Sequence, residues 1–277
     1  MGQTRAETLI DEAVSVHSAD STGSVELSMD GSVAILVMTH APYNLMDPQL
    51  NEALLSGLDW AKSEGARAVV LRSSLRHFSA GADLEQMLVD VERDGTLDWG
   101  LIEVLRAFDT HPAPIVASVH GVCVGGGFEL ALASDLILAA ASAKLGSVES
   151  TVGLHPLMGG IQRIAQRAGP ARAKEMAMLG RRYDAQTLER WGVINRVIPD
   201  EQLSAATMTL AHELANGPTV CHTATKKLVS VALNGGLAAA DLSMAELQQP
   251  ILDSRDFREG VTSYRERGLG MARFEGR

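Results

Sequence analysis

The sequence predicts an α/β fold that gives way to a mainly helical C-terminal region. From Val33 to Ala140, short apolar runs rich in β-branched residues alternate with stretches of helical spacing. Beyond residue 160 the apolar pattern is almost wholly helical. Glycine-rich turns also stand where expected strands pass into expected helices.

In chain order, residues 1–23 are polar and weakly patterned, and read as an N-terminal arm or an added helix. Val33 to Met38 (VAILVM) reads as a strand. Pro42, Asn44, Asp47 and Pro48 mark a loop and a helix start, and Leu50, Leu54, Leu55 and Leu58 fall on one face of a helix over 49–63. Ala68 to Leu71 is a second strand, followed by a Ser-rich loop and the segment His77 to Leu84. A helix over 98–109 stops before Pro112 and Pro114, because a residue preceding proline is pushed out of the helical region. Ile115 to Val119 is a strand, His120 to Gly127 a turn, Phe128 to Ala133 an apolar helix and Asp135 to Ala140 another strand. Helices follow over 161–168, 171–179, 184–191, 201–215, 219–233 and 239–248, interrupted by a strand from Val193 to Ile198. The expected division is an α/β core over 24–205 and a helical region over 206–277, with Asn216-Gly217-Pro218 as a break point.

A chain of 277 residues suffices for one large core, or a core with a small subdomain. Aromatics are 4%, so Ala, Val, Leu, Ile and Met must fill it. The formal charge of −10 repels a phosphate backbone and argues against nucleic acid as a partner. It equally opposes any anionic small molecule, which would need local donors. The two cysteines, Cys123 and Cys221, are far apart in sequence; they could pair, but no disulfide framework is implied, and reduced thiols in a cytoplasm are the simpler reading. The N-terminus has no signal-peptide pattern, and no stretch is expected to span a bilayer, so a membrane is not expected as a partner.

Two glycine-rich turns carry the chemical interest. In Ser79-Ala80-Gly81-Ala82-Asp83, Gly81 lets a ligand approach the main chain, and the N–H groups of a following helix would be free to donate. The plainer alternative is a turn with Asp83 as helix N-cap. The triplet Gly125-Gly126-Gly127 is costlier in entropy than a helix start requires. A phosphate-binding P-loop would continue Gly-Lys-Ser/Thr, but Phe128-Glu129 follows; a dinucleotide loop would need Gly-x-Gly-x-x-Gly, which is absent. What remains is a turn presenting backbone donors to an oxygen that becomes an oxyanion. Glu129, in the nearly apolar helix FELALA, is expensive to bury unless paired or functional, although a first-turn Glu also gains from the helix dipole. Glu149, between Leu145-Gly146 and Gly153-Leu154-His155-Pro156, is by itself an ordinary loop carboxylate.

Together these segments resemble the crotonase superfamily, the enoyl-CoA hydratase/isomerase family. Phe78 to Leu84 is similar to its CoA-binding and oxyanion segment; His120-Gly121, Gly125 to Ala131 and Ser134-Asp135 to its second motif; Leu145-Gly146 through Glu149, Gly153, Pro156 and Gly159-Gly160 to Arg163 to its third. Phe257 to Val261 resembles its C-terminal helix. The resemblance implies a crotonase (ClpP-like) spiral of ββα units with a helical C-terminal region, associating as a homotrimer or homohexamer through residues 206–277. It implies an oxyanion hole from the N–H groups of Ala82 and Gly126, and CoA contacts at Ala80, Gly81, Asp83, Leu84 and Gly125. Arg76 and Phe274 are further candidates for the CoA phosphates. Glu129 would deprotonate a water and Glu149 would protonate C2 of a 2-enoyl thioester, with no metal or cofactor beyond the CoA of the substrate. Hydration is favoured because both acidic positions are filled. The alternatives are a 3,2-enoyl-CoA isomerase, decarboxylase, hydrolase and dehalogenase relatives, a non-catalytic acyl-CoA binder and an RNA-binding relative. Leu157-Met158 replaces residues that are often small in the family, His155 reads as a satisfied loop histidine, and Gly268-Leu269-Gly270 disturbs alignment of the tail. Residues 84–104, with Met87, Leu88, Trp99 and Leu101, line or lid an acyl pocket or are ordinary helical core.

Overall fold

The computed structural model describes residues 20, 21 and 23–277. The expected N-terminal arm therefore lies outside the described residues, save Asp20–Ser21, a short strand β1, and Gly23. Strands β2 (Val25–Asp30) and β3 (Val33–Met38) form an antiparallel hairpin, in which Asp30 faces Val33 across a two-residue loop and Gly31 takes φ 60°. Strands β4 (Ala68–Ser73), β5 (Ile115–Val119), β7 (Leu136–Ala140) and β10 (Arg196–Ile198) extend the sheet in parallel, with β1 pairing antiparallel at the other edge. The order is β1-β2-β3-β4-β5-β7-β10.

β3 is buried at every position because both of its faces are covered. Ala34, Leu36 and Met38 join the main core, which includes Leu50, Leu54 and Leu58 of helix α1 (Pro48–Ser63). Val33, Ile35 and Val37 point the other way, to Ala211 and Ala215 of helix α8 (Leu203–Ala215). α1 starts where its sequence signals lie: Asp47 accepts the Leu50 N–H at 2.7 Å and Pro48 opens the first turn. The boundary expected at 205/206 falls inside α8, which packs on the sheet, and α8 gives out just before Asn216-Gly217-Pro218.

A second, three-stranded sheet of β6 (Val122–Val124), β8 (Lys144–Gly146) and β9 (Tyr183–Asp184) lies beside the first. Between strands run α2 (Leu84–Asp94), α3 (Leu101–Thr110), α4 (Gly126–Ala133), α5 (Gly160–Ala168), α6 (Pro170–Leu179) and α7 (Ala185–Arg190). The chain closes with α9 (Thr219–Asp253) and α10 (Arg255–Arg267), the latter containing Phe257 to Val261.

Three expectations need correction. The turn expected over His120 to Gly127 contains β6, and α4 begins at Gly126. The strand expected from Val193 starts at Arg196, because the N–H groups of Val193 and Ile194 are bonded back to Leu188 at the end of α7. The two helices expected over 219–233 and 239–248 are both present within α9, separated at Gly236, where the backbone leaves the helical region (φ 79°, ψ 174°). Finally, α9 is long and apolar enough, by length and composition alone, to cross a bilayer, with a mean hydropathy of 1.4 over its best window. Its scattered Thr, Ser, Asn and Gly residues hid that from a search for unbroken apolar runs.

Candidate active site

Two backbone turns are pressed together by packing on distant segments. Ser79 lies in strand-like contact with β6, its N–H bonded to the Val122 carbonyl and its own carbonyl to the Val124 N–H, and its Oγ donates to the Asn44 carbonyl at 2.6 Å. Gly81, at φ 104°, accepts the Met46 N–H at 2.8 Å, and the Asp83 N–H returns to the Met46 carbonyl at 3.0 Å. This parallel bridge uses the groups on either side of Ala82 and leaves the Ala82 N–H without a protein acceptor among the described residues.

The glycine triplet is explained position by position. Gly125 sits at φ 55°, ψ −134°, and a Cβ there would lie 3.4 Å from Gly81 Cα, so the two turns touch main chain to main chain. A Cβ on Gly126 would lie 3.1 Å from Met46 Cγ, and one on Gly127 would lie 2.3 Å from Ser79 Cβ. Gly126 is the first residue of α4, so its N–H has no partner within the helix, and no acceptor among the described residues takes it.

Glu129 is only 2% exposed. Its Oε1 accepts the N–H groups of Met158 at 2.9 Å and Gly160 at 2.7 Å, the Leu157 N–H also acts on the carboxyl, and no hydrogen bond to Oε2 is found among the described residues. Burial pushes its carboxyl up to about 7; the Gly160 N–H pulls it down and the charge of Glu149 pushes it up. Glu149 opens a short 3₁₀ turn (Glu149–Val152). Both of its carboxylate oxygens are shielded from solvent, neither makes a hydrogen bond of good geometry among the described residues, and Oε1 lies 3.8 Å from where a Gly125 Cβ would stand. Its carboxyl is also raised, chiefly by burial, against the downward pull of main-chain N–H groups and of His155.

One cleft of about 650 Å³ holds these groups: Ala82, Gly126, Glu129 and Glu149, together with Ala80, Gly81, Leu84 and Gly125. Three expected contacts fall outside its lining. Asp83 caps α2, accepting the Gln86 N–H at 3.0 Å, so its carboxylate is occupied as the plainer alternative had it. Arg76 is an exposed side chain. Phe274 packs near Gly260 on α10, and its carbonyl accepts from Arg67 at 3.1 Å. Met87, Trp99, Leu101, Leu157 and Met158 line the cleft, whereas Leu88 is exposed outside it. His155 lines it too, its Nδ1 2.9 Å from the Pro156 carbonyl. Sequence reasoning missed Met46, Thr151, Val152 and Leu154 in the lining, and the main-chain N–H groups that hold Glu129. Nothing local in the sequence signals a contact that depends on the meeting of remote segments.

This arrangement suits a carbonyl oxygen that gains negative charge, with two carboxyl groups close by to move protons. The comparison with known families agrees: a family model described as "Enoyl-CoA hydratase/isomerase" matches residues 29–276. The chain belongs to that family. Among the members it resembles is a probable enoyl-CoA hydratase of Rhodobacter capsulatus, 33% identical over 225 residues, covering 81% of this chain and 87% of that protein. Another is a carnitinyl-CoA dehydratase of Proteus mirabilis, 28% identical over 251 residues, covering 88% and 96%. In structure, it is similar to an enoyl-CoA hydratase subunit I from Geobacillus kaustophilus, with a TM-score of 0.84, 30% identity and coverage of 92% and 98%. The crotonase fold implied by the motifs is thereby established, and the family is one of CoA-thioester enzymes of the hydratase and isomerase type.

Proposed function

We propose that the protein is an enoyl-CoA hydratase, adding water syn across the 2,3 double bond of a 2-enoyl-CoA thioester. The observation that carries this reading is a single cleft in which two unengaged main-chain donors, Ala82 and Gly126, accompany two carboxyl groups, Glu129 and Glu149.

The thioester oxygen would accept both N–H groups. Charge builds on that oxygen as hydroxide adds to C3, and a preorganised donor of this kind contributes on the order of 3 kcal/mol. Glu129, with Oε1 engaged by Met158 and Gly160, keeps Oε2 for a water and takes its proton as the C–O bond forms. Glu149 gives its proton to C2, and proton exchange between the two carboxyls and solvent restores the starting state. Burial raises both carboxyls, Glu129 to about 7, which lets Glu129 exchange a proton near neutral pH. Ala80, Gly81, Leu84 and Gly125 form the neighbouring wall along which the CoA arm would run. CoA is part of the substrate, and no further cofactor enters the scheme. Association through the C-terminal region belongs to the same proposal, supported by the outward apolar side chains of Leu237 and Leu242 on α9, 79% and 86% exposed in the single chain.

The test is turnover of 2-enoyl-CoA and, separately, 3-enoyl-CoA thioesters, followed by loss or gain of the conjugated double bond. Glu149→Gln should lower kcat by about 10²–10⁴-fold on the 2-enoyl substrate while KM changes little. A variant as fast as the wild type would remove Glu149 from the mechanism, and turnover confined to the 3-enoyl substrate would replace hydration by isomerisation.

A further inference from the structure

Among the described residues, Trp99 alone lines both the candidate cleft and a second, neighbouring cavity. That second cavity is a polar recess of about 590 Å³ bordered by Gln86, Asp90, Arg93, Asp94 and Asp98. Although Trp99 sits in the loop between α2 and α3, it is only 4% exposed, so it is held in place. Its Nε1 donates to Asp90 Oδ2 at 2.9 Å, and its carbonyl accepts from Asn51 Nδ2 on α1 at 2.8 Å. Asp90 is itself fixed by Gln86 Nε2 at 2.9 Å and by Arg93 at 3.1 Å. The residue is therefore pinned at its indole nitrogen from one helix and at its main chain from another.

The ends of the cleft differ in kind. A thioester oxygen between Ala82 and Gly126 leaves the anionic CoA arm to run out towards solvent. Met46 and Met158 lie against those donors, so the apolar lining left for the acyl chain is that of α2, α3 and the loop between them: Met87 and Trp99, both under a tenth exposed, and Leu101. We infer that Trp99 is the end wall of the acyl site and Asp90 its positioning residue, so that the enzyme accepts short acyl chains and discriminates against chains long enough to need the recess behind the indole. This rests on the hydratase reading above.

Removing the wall joins an apolar cleft to the recess. Each methylene that then finds apolar cover is worth about fourfold in binding, from about 0.8 kcal/mol per buried CH₂. The experiment measures kcat and KM of the full-length protein on crotonyl-, hexenoyl-, octenoyl- and decenoyl-CoA for wild type, Trp99→Ala, Asp90→Leu and Asp90→Asn. Asn keeps an acceptor oxygen for the indole N–H, and Leu does not. The decenoyl-to-crotonyl ratio of kcat/KM should rise about tenfold or more in Trp99→Ala and Asp90→Leu, mainly through KM, while Asp90→Asn keeps the wild-type ratio. Calorimetric titration with butyryl- and decanoyl-CoA reads the same preference without turnover, so the wall is tested even if hydration is not the reaction. A chain-length profile unchanged in Trp99→Ala, or one shifted equally by Asp90→Asn and Asp90→Leu, would overturn the inference. A wild type that binds both thioesters but hydrates none would instead count against the hydratase reading.

Discussion

Replacing Glu129 by Gln should make the protein more stable at alkaline pH while disabling it. The side chain is nearly isosteric, and its carbonyl oxygen can still accept the two N–H groups that Met158 and Gly160 give to Oε1. The folded carboxyl is held at about 7 against an ordinary 4.5, so the folded state binds this proton more tightly than the unfolded chain does. Below about pH 4.5 both states are protonated and the neutral side chain is buried without penalty. Between about 4.5 and about 7 the unfolded chain ionises first, and the folded state loses ground. Above about 7 the loss is complete. At about 1.4 kcal/mol for each tenfold change in proton affinity, it amounts to about 3 kcal/mol.

Glutamine carries no such penalty, and it also relieves Glu149 of a neighbouring charge, which acts in the same direction. Melting curves of wild type and Glu129→Gln, recorded from about pH 5 to about pH 8.5, should diverge as pH rises. The variant should end about 6–12 °C higher, since about 2–4 °C accompanies each kcal/mol in a chain approaching this size. Two curves that stay parallel across the whole range would refute the reasoning, because Glu129 would then titrate alike in the folded and unfolded states.

The remaining predictions follow from the same geometry. The kcat/KM of the wild type on a 2-enoyl-CoA should climb as pH rises through about 7, since Glu129 must be ionised in free enzyme to take a proton from water; a profile flat across that region would count against its role as base. Gly127→Ala puts a Cβ 2.3 Å from Ser79 Cβ, whose Oγ is tied to the Asn44 carbonyl, and should cost about 1–3 kcal/mol, read as a lowered melting temperature. Gly160→Ala brings a Cβ within 2.9 Å of Glu129 Cγ and should depress kcat by displacing that side chain, with the circular dichroism spectrum retained; undiminished kcat would mean that its position does not matter. Lys226→Met removes the Nζ that bonds Asp135 at 2.7 Å and the Ala113 carbonyl at 3.2 Å, and should destabilise by about 1–3 kcal/mol in chemical unfolding, because α9 is then no longer tied to the edge of β5.

What the sequence discloses follows the physics of each element. β3 and β5 are legible because a strand covered on both faces is almost wholly apolar, and α1 because its leucines recur on one face above a capping Asp. β2 (VELSMD) has mixed composition and is only partly buried, and β6, β8 and β9 are two- or three-residue pairings fixed by tertiary contacts, so none has a local pattern. α2 is amphipathic but buries only Met87 and Asp90, too little of an apolar face to stand out. In the site, a carboxylate set in an apolar helix behind three glycines announces itself. The reason for the third glycine is Ser79, almost fifty residues away in sequence, and that was not legible. Nor was the bond from Trp99 to Asp90, which needs the α2–α3 loop folded back on its helix. Arg76 stands out by its charge and Phe274 by its place in the chain, neither of which fixes a contact.

The donors and the acids of this site arise from one packing arrangement. α4 begins with Gly126 in the cleft lining, where in the proposed reaction the positive end of the helix would favour a forming oxyanion. α5 directs its first N–H, Gly160, at Glu129 Oε1, so a side chain of α4 satisfies the start of α5 from outside. Close contact at Gly160 makes this possible, since a Cβ there would stand 3.0 Å from that same oxygen. Exclusion of water then acts on both groups. It strengthens the pull of the free N–H groups on an oxyanion, and it drives the Glu129 carboxyl upward. The bonds from Gly160 and Met158 oppose that rise and hold the carboxyl near 7, where a small change in its surroundings moves the proton on or off. A site that buried Glu129 without those two N–H groups would push its carboxyl higher still, and in the proposed hydration the water would lose its base.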